Sequence, residues 1–322
     1  MTLRKLFVRL SAVVGLALVA ASPVLAAFPE KPIRLVVPFP PGGGVDMIAR
    51  TLGTGMSQIL GQPVIVDNKP GAGTIIGTDA VAKSPPDGYT LVVASFAHAV
   101  NPSLMPKLPY ATGAFAPVIL IGRGPNVLVV RADSPYKTVK DIVAAAAAKP
   151  DALTYASQGN GTSAHLAGEM FTNLARIKVT HVPYKGVAGA LTDLLGGRVD
   201  MMFATSSAVA SLVEGGKLRP IAVTSSERSS AFKALPTVAE TVPGYSVESW
   251  YGLYVPAGTS PDVITKLNAA ANTAARSADF RRKLEHEGLL VTAGTPEELD
   301  AYVRGEEGRW RKVVKENNVK VD

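Results

Sequence analysis

The sequence predicts an α/β protein with mostly parallel sheets that is built as two lobes. Short apolar segments rich in β-branched residues alternate with segments of helical periodicity, which is typical of parallel sheets covered by helices. Most of the predicted strands run into a glycine-containing loop that opens the next helix. The chain has 322 residues, more than one α/β core usually holds, and this length favours two lobes.

The composition excludes several other classes of protein. Hydrophobic residues make up 47% of the chain and charged residues 18%, which excludes a disordered protein. There is no cysteine, so disulfides, thiolate metal sites and a cysteine nucleophile are all excluded. The 33 basic and 26 acidic side chains give a formal charge of +7. The basic residues are scattered rather than clustered, so we do not expect nucleic-acid binding.

Residues 1–26 are predicted to be an export signal. Arg4, Lys5 and Arg9 precede an apolar run, 12–21, which ends in small residues and a proline. The run is too short to span a bilayer, which takes about 20 apolar residues. We therefore expect cleavage after Ala26 and a free periplasmic product that carries no lipid. Removing the signal removes three basic and no acidic residues and leaves a charge of +4.

The first part of the remaining chain predicts three strands. Ile33 to Val37 is short, β-branched and unbroken, as a buried parallel strand should be. A loop rich in proline and glycine follows it, and helical periodicity resumes over 46–60. The same order recurs in the next two units: a strand over 64–67, a glycine loop over 68–73 and a helix over 74–83, then a strand over 89–94.

The middle of the chain repeats this pattern after an alanine-rich helix over 137–149. Its predicted units are a strand over 153–157 with a helix over 162–175, a strand over 179–184 with a helix ending at 195, a strand over 199–203 with a helix ending at 214, and a strand over 220–224. The C-terminal part predicts helices over 261–277, 279–287 and 296–317.

Two strand-like segments, 120–131 and 242–254, lie on either side of the middle block. If the chain crosses between lobes at these segments, the first lobe is discontinuous. We accordingly predict lobe 1 from 27–127 together with 249–322, and lobe 2 from 128–248.

Three glycine-rich loops at helix N-termini, 38–45, 69–74 and 157–162, predict a binding site for a small anion. Ligands of open α/β sheets bind beyond the carboxyl ends of the strands, where these loops lie. The first turn of a helix offers unpaired N–H donors and a partial positive charge, so it binds anions without a basic side chain. One such loop alone is explained by ordinary turn geometry, but their recurrence favours a cleft lined by backbone donors.

Sequence patterns of the common enzyme classes are missing. The triple glycine 42–44 lacks the ending of a phosphate-binding loop, and the four histidines show no metal-binding spacing. There is no G-x-S-x-G motif, and the two S-x-x-K matches, at Ser134 and Ser230, lack the motifs that accompany them in acyl-enzymes. We therefore predict binding without catalysis, with no metal and no cofactor. A secreted hydrolase is kept as an alternative.

The loops belong to longer distinctive segments: VPFPPGGGVDMIAR (37–50), VDNKPGAGTIIGTDAVAKSPPDGYTL (66–91), YASQGNGTSAHLAGEMF (155–171) and VPYKGVAGALTDLLGGRVDMMF (182–203). Together they resemble the Bug-type solute-binding proteins of tripartite tricarboxylate transporters, and the similarity continues in order along the rest of the chain. The resemblance implies a monomeric Venus-flytrap protein of the periplasm, with a hinge between its lobes. It would bind a small organic carboxylate and deliver it to the membrane components of a transporter. In the alternative, the protein presents its ligand to a membrane sensor kinase.

The resemblance also implies which residues bind the ligand. It places one carboxylate against the 39–46 and 71–74 loops, largely through backbone amides and bridging waters, with Asp46 orienting its loop. Thr74 stands where the family commonly has glycine, and this difference bears on ligand preference. The implied ligand-binding residues are Phe39, Pro40, Gly43, Asp46, Ala72, Gly73, Thr74, Ser95, Ala97, Ser157, Gly161, Thr162, His165, Tyr184, Lys185, Asp200 and Thr205.

Overall fold

The computed structural model describes residues 28–105, 107–286, 288–316 and 319. The predicted export signal, residues 1–26, lies outside these residues. The chain divides into two units, Met1–Glu30 and Lys31–Asp322, and the helices and strands of the described residues all belong to the second. No helix in the described part of the chain combines the length and the apolar character needed to cross a bilayer.

The strands of the described residues form one mixed sheet. They are β1 (Ile33–Val37), β2 (Val64–Asn68), β3 (Thr90–Ser95), β4 (Phe115–Arg131), β5 (Thr154–Ser157), β6 (Thr180–Pro183), β7 (Met201–Thr205), β8 (Leu218–Val223), β9 (Glu248–Pro256) and β10 (Leu290–Val291). The strand order is β2-β1-β3-β9-β4-β7-β5-β6, and β8 and β10 also pair with β4.

The α-helices of the described residues follow most of the strands. They are α1 (Gly44–Leu60), α2 (Ile75–Ala82), α3 (Phe96–Leu104), α4 (Val139–Ala148), α5 (Ser163–Ala175), α6 (Val187–Leu195), α7 (Ser206–Glu214), α8 (Pro261–Ala275), α9 (Ala278–His286) and α10 (Pro296–Glu316). Short 3-10 turns occur at Ala72–Thr74 and Val238–Glu240. Helix α3, which contains Pro102, was not predicted from the sequence.

The predicted alternation of strands and helices is correct, but the prediction of mostly parallel sheets holds only for the two ends of the sheet. β1 pairs in parallel with β2 and β3, and β5 pairs in parallel with β6 and β7. All pairs that involve β4 or β9 are antiparallel. These two strands carry the chain between the two parallel groups, once outward and once back, so they run in opposite directions.

The partners of β4 change in the middle of the strand. β4 pairs with β9 from Phe115 to Pro125, and from Asn126 onward it pairs with β7 and β8. At this point the Asn126 N–H donates to Thr224 Oγ1 at 2.7 Å, and the Thr224 N–H donates to the Asn126 carbonyl at 2.9 Å. The returning chain joins them, since the Val247 N–H donates to the Thr224 carbonyl at 2.8 Å.

Buried aromatic side chains pack the C-terminal helix against the sheet. Trp310 of α10 is fully buried and meets the ring of Phe96, the first residue of α3, with 4.8 Å between ring centroids. The Trp310 indole N–H donates to Glu306 at 2.8 Å, which satisfies its one polar atom. This packing fixes the N-terminal end of α3, which borders the candidate site.

Candidate ligand-binding site

The loops that follow the parallel strands converge on three cavities with shared walls. The largest, of about 880 Å3, lies between residues 38–40, 70–75, 158–162 and 183–186. A second, of about 160 Å3, lies against residues 39–45 and 185–189. A third, of about 20 Å3, includes Ser95, Ser163 and Ser249 in its wall. Phe39 and Gln158 line all three cavities.

Asp46 lies outside the cavity walls and holds the 38–45 loop in shape. Its carboxylate is buried and accepts hydrogen bonds from the Gly42 N–H at 3.0 Å, from Arg50 at 2.9 Å and from the Asn68 amide at 2.9 Å. Burial alone would raise its pKa, but these donors outweigh burial and hold the pKa below its usual value. The same Asn68 amide group also donates to the Phe39 carbonyl at 3.1 Å. Asp46 is therefore ionised, its charge is balanced by Arg50, and it is suited to orienting the loop.

The 69–74 loop has unusual backbone φ angles. Gly71, Ala72, Gly73 and Thr74 all have positive φ, at 129°, 47°, 61° and 79°. Such φ values are strained for alanine and threonine, and backbone strain of this kind is found mainly at functional sites. Asn101 stabilises this conformation, because its side-chain amide donates to the Gly73 carbonyl at 2.9 Å.

A pair of histidines, His165 buried and His181 half-buried, supports the 157–162 loop. His181 Nε2 lies 2.7 Å from the Ser157 hydroxyl, and His165 Nδ1 accepts the Gly161 N–H at 3.2 Å. The two imidazole rings stack with 4.3 Å between centroids. Burial lowers the pKa of His181 to about 4, and burial together with the neighbouring His181 lowers the pKa of His165 to about 3. Both rings are thus neutral at pH 7, and Nδ1 of His165 can act as the acceptor.

Helix N-termini and a single cation set the electrostatics of the cavities. The first residues of α1, α2, α3, α5 and α6 all line a cavity wall, and α7 begins directly after the wall residue Thr205. Among the described wall residues, Lys185 carries the only charged side chain. Backbone donors with one lysine suit a ligand of small negative charge.

The structure brings most of the predicted site residues together. Those in the cavity walls are Phe39, Pro40, Gly43, Ala72, Gly73, Thr74, Ser95, Ala97, Thr162, Tyr184, Lys185 and Thr205. Asp46, Ser157, Gly161, His165 and Asp200 are not in the walls. The first four lie behind the loops, where they make or directly adjoin the hydrogen bonds that hold the loops in shape. A role of any of these residues in ligand contact stays a prediction.

Asp200 has a different structural task. Its carboxylate accepts the Thr154 N–H at 2.8 Å and the Thr154 hydroxyl at 2.9 Å. It therefore ties the start of β7 to the start of β5, at the end of the strands opposite the loops. The sequence shows an acid before an apolar run and does not distinguish this pairing from a ligand contact.

Several wall residues were not predicted. Gln158 lies in the 157–162 loop that the sequence predicted, but the residues predicted there as ligand-binding are its neighbours Ser157, Gly161 and Thr162. Ser249 and Tyr251 come from β9, where nothing in the local sequence marks a site. The pairing of Ser95 with Tyr251 across β3 and β9 brings this strand to the cavity.

Comparisons with known proteins show the family and the fold. A family model described as "Tripartite tricarboxylate transporter family receptor" matches residues 48–319. The solved structure of Rpa4515 from R. palustris with adipate is 36% identical, with a TM-score of 0.87 over 91% of this chain and 99% of that one. The periplasmic binding protein BugD is 33% identical, with a TM-score of 0.86 over 91% and 99%. MatC from Rhodopseudomonas palustris with bound malate is 33% identical, with a TM-score of 0.84 over 89% and 100%. These matches confirm the predicted fold class, a two-lobed α/β binding protein.

Proposed function

The chain belongs to the tripartite tricarboxylate transporter receptor family, and from this premise we propose that it captures a small carboxylate and delivers it to the membrane components of such a transporter. The family is one of receptors, in agreement with the predicted absence of catalysis. Two structural neighbours hold dicarboxylates, adipate in one and malate in the other.

The observation that carries the proposal is the wall of helix N-termini around a single lysine. A carboxylate placed there would accept hydrogen bonds from backbone N–H groups and gain from the helix dipoles, which together offset its lost hydration. Bridging waters would complete the remaining hydrogen bonds. The cavities contain no acidic wall side chain among the described residues, so nothing there repels the ligand.

We propose that capture involves closure of two lobes, 27–127 with 249–322 and 128–248, about the β4 and β9 crossings. Support comes from contacts between loops of the two parallel strand groups. A Cβ added to Gly186 would lie 3.3 Å from Pro40 Cγ, and one added to Gly73 would lie 3.0 Å from the Asn160 carbonyl oxygen. The loops of the two groups therefore approach each other closely at these points, and a hinge rotation that narrows the space between them would enclose a ligand there.

The site of action that fits this role is the periplasm. The predicted export signal supports it, and BugD, a structural neighbour, is a periplasmic binding protein. Fractionation of cells that express the full chain, with N-terminal sequencing of the product, tests this part. Recovery of the uncleaved chain in the cytoplasm would contradict it.

Calorimetry tests the binding function. The protein is unfolded, stripped of ligand, refolded and titrated with C4 to C6 dicarboxylates, tricarboxylates and aromatic carboxylates. We expect one of these to bind with a stoichiometry of one. Absence of heat across the whole panel, with a folded protein, would refute carboxylate capture.

A further inference from the structure

Gln158 occupies a central position in the candidate site. It lies in the loop between β5 and α5 and, with Phe39, is one of two residues that line all three cavities. Phe39 comes from the loop after β1, on the other side of the cleft. The wall that the cavities share therefore contains a phenylalanine from one side and a glutamine from the other.

The hydrogen bonds of this loop leave the Gln158 side chain free. Ser157 bonds with His181, and the Thr162 hydroxyl donates to the Gly159 carbonyl at 2.7 Å. Within the described part of the chain, the partly buried carboxamide of Gln158 has no hydrogen-bond partner. A carboxamide offers two donors and an acceptor, and since no other group of the described residues uses them, they are available to a ligand in the cavities.

The loop that carries Gln158 is held at both ends. The contacts of His181 with Ser157 and of His165 with Gly161 fix the residues on either side, and the His165 ring, which stacks on that of His181, is itself buried. A polar group on a fixed loop discriminates between ligands better than one on a mobile loop, because it cannot move to find another partner.

We propose that Gln158 is a specificity-determining residue, and that it selects carboxylates bearing a hydrogen-bonding substituent, such as a hydroxyl, on the carbon chain between the acidic groups. This inference rests on the proposed function. The acidic groups are met by the helix N-termini and Lys185, so the carboxamide in the shared wall is left for the middle of the ligand. A hydroxyl there can donate to the amide oxygen or accept from the amide nitrogen.

Discrimination follows from what an unsubstituted ligand would do. A methylene group at the shared wall would remove water from the carboxamide and replace none of its hydrogen bonds. One neutral hydrogen bond and the avoided desolvation correspond to a preference of about tenfold for the hydroxylated ligand. Pockets built to bond a hydroxyl reject the analogue that lacks it for the same reason.

Two ligand pairs that differ by one hydroxyl test the proposal: malate against succinate, and 2-hydroxyglutarate against glutarate. Affinities are measured by calorimetry for the ligand-stripped protein, for Gln158→Met and for Gln58→Met. Methionine keeps the length of the side chain and removes its hydrogen-bonding groups. Gln58, exposed on α1 and outside the cavity walls, is the matched control.

We expect the original protein and Gln58→Met to prefer the hydroxylated member of at least one pair by about tenfold, and Gln158→Met to lose this preference. Equal affinities within both pairs, or a preference that survives in Gln158→Met, would overturn the inference while carboxylate binding stands. If none of the four ligands binds but another carboxylate does, the inference also fails. If no carboxylate binds, the proposed function itself fails.

Discussion

Replacing Gly43 by valine should weaken ligand binding with little effect on folding. Gly43 caps the N-terminus of α1 and lines the second cavity. Its φ of −88° and ψ of 171° are allowed for any residue, and a Cβ added there meets no atom within 4 Å. The added side chain would therefore enter the space that we assign to the ligand.

The cost to folding is small because two effects offset each other. Valine is a poorer N-cap than glycine, which costs up to about 1 kcal/mol. The unfolded chain loses the conformational freedom of glycine, which stabilises the folded state by about 0.4–1 kcal/mol. The hydrogen bond from the Met47 N–H to the Gly43 carbonyl, 3.0 Å long, is unaffected.

The cost to binding is larger. Three carbon atoms would occupy part of a cavity of about 160 Å3, and close approach of a carboxylate to the α1 N-terminus would be blocked. Overpacking of this kind costs about 1–3 kcal/mol, or about 5- to 150-fold in Kd. Gly113→Val is the control, since that glycine also has open space around it and lies outside the cavity walls. Calorimetric titration and urea unfolding measure the two costs. Unchanged affinity in a folded Gly43→Val protein would refute the placement of the ligand.

Three further predictions concern the supports of the loops. Gly161→Ala should weaken ligand binding about tenfold in calorimetry, because the residue has φ of 77° and its Cβ would lie 2.7 Å from Asn101 Oδ1; unchanged affinity would contradict this contact. Burial lowers the pKa of His165 to about 3 and that of His181 to about 4, so between these values and 6.5 the unfolded state binds more protons than the folded state. The free energy of unfolding should therefore be level above about pH 6.5 and be lower by about 1.4 kcal/mol per histidine at about pH 5.5. A free energy of unfolding from urea titrations that does not change over this pH range would contradict the prediction. Asp46→Asn should lower the free energy of unfolding by about 1–2 kcal/mol and weaken ligand binding, because the Asp46 carboxylate accepts the hydrogen bonds that hold the 38–45 loop. Asp133→Asn, at an exposed ion pair, should change neither property. Equal urea midpoints for the two variants would show that Asp46 does not hold the loop.

The binding loops could be located from the sequence because their backbone needs particular residues. Prolines and glycines mark the 38–45 and 69–74 loops, and in the structure Gly71 and Gly73 have the positive φ that glycine accommodates. Helix caps such as Thr162 mark where the anion-binding ends begin, and its hydroxyl accepts the His165 N–H at 3.4 Å. Local chemistry of this kind is legible without knowledge of the tertiary fold.

Long-range pairing explains most of what was missed. Tyr251 enters the site because β9 returns antiparallel to β3 and β4, and no local pattern predicts that pairing. The same return makes the centre of the sheet antiparallel, contrary to the prediction. Asp200 forms hydrogen bonds with Thr154, a partner 46 residues away in the sequence. This pairing follows from the register of β5 and β7, so it could not be predicted from the local sequence. The histidine pair likewise joins α5 to β6, and its stacking needs both elements in place.

A crystal structure of the protein with a carboxylate identified by calorimetry tests the central claim most directly. We predict the ligand between residues 38–45, 70–75, 158–162 and 183–186, with its carboxylate oxygens directed at helix N-termini or at waters bound there. A ligand bound elsewhere on the chain, or held in these cavities without backbone N–H or bridging-water contacts, would contradict it.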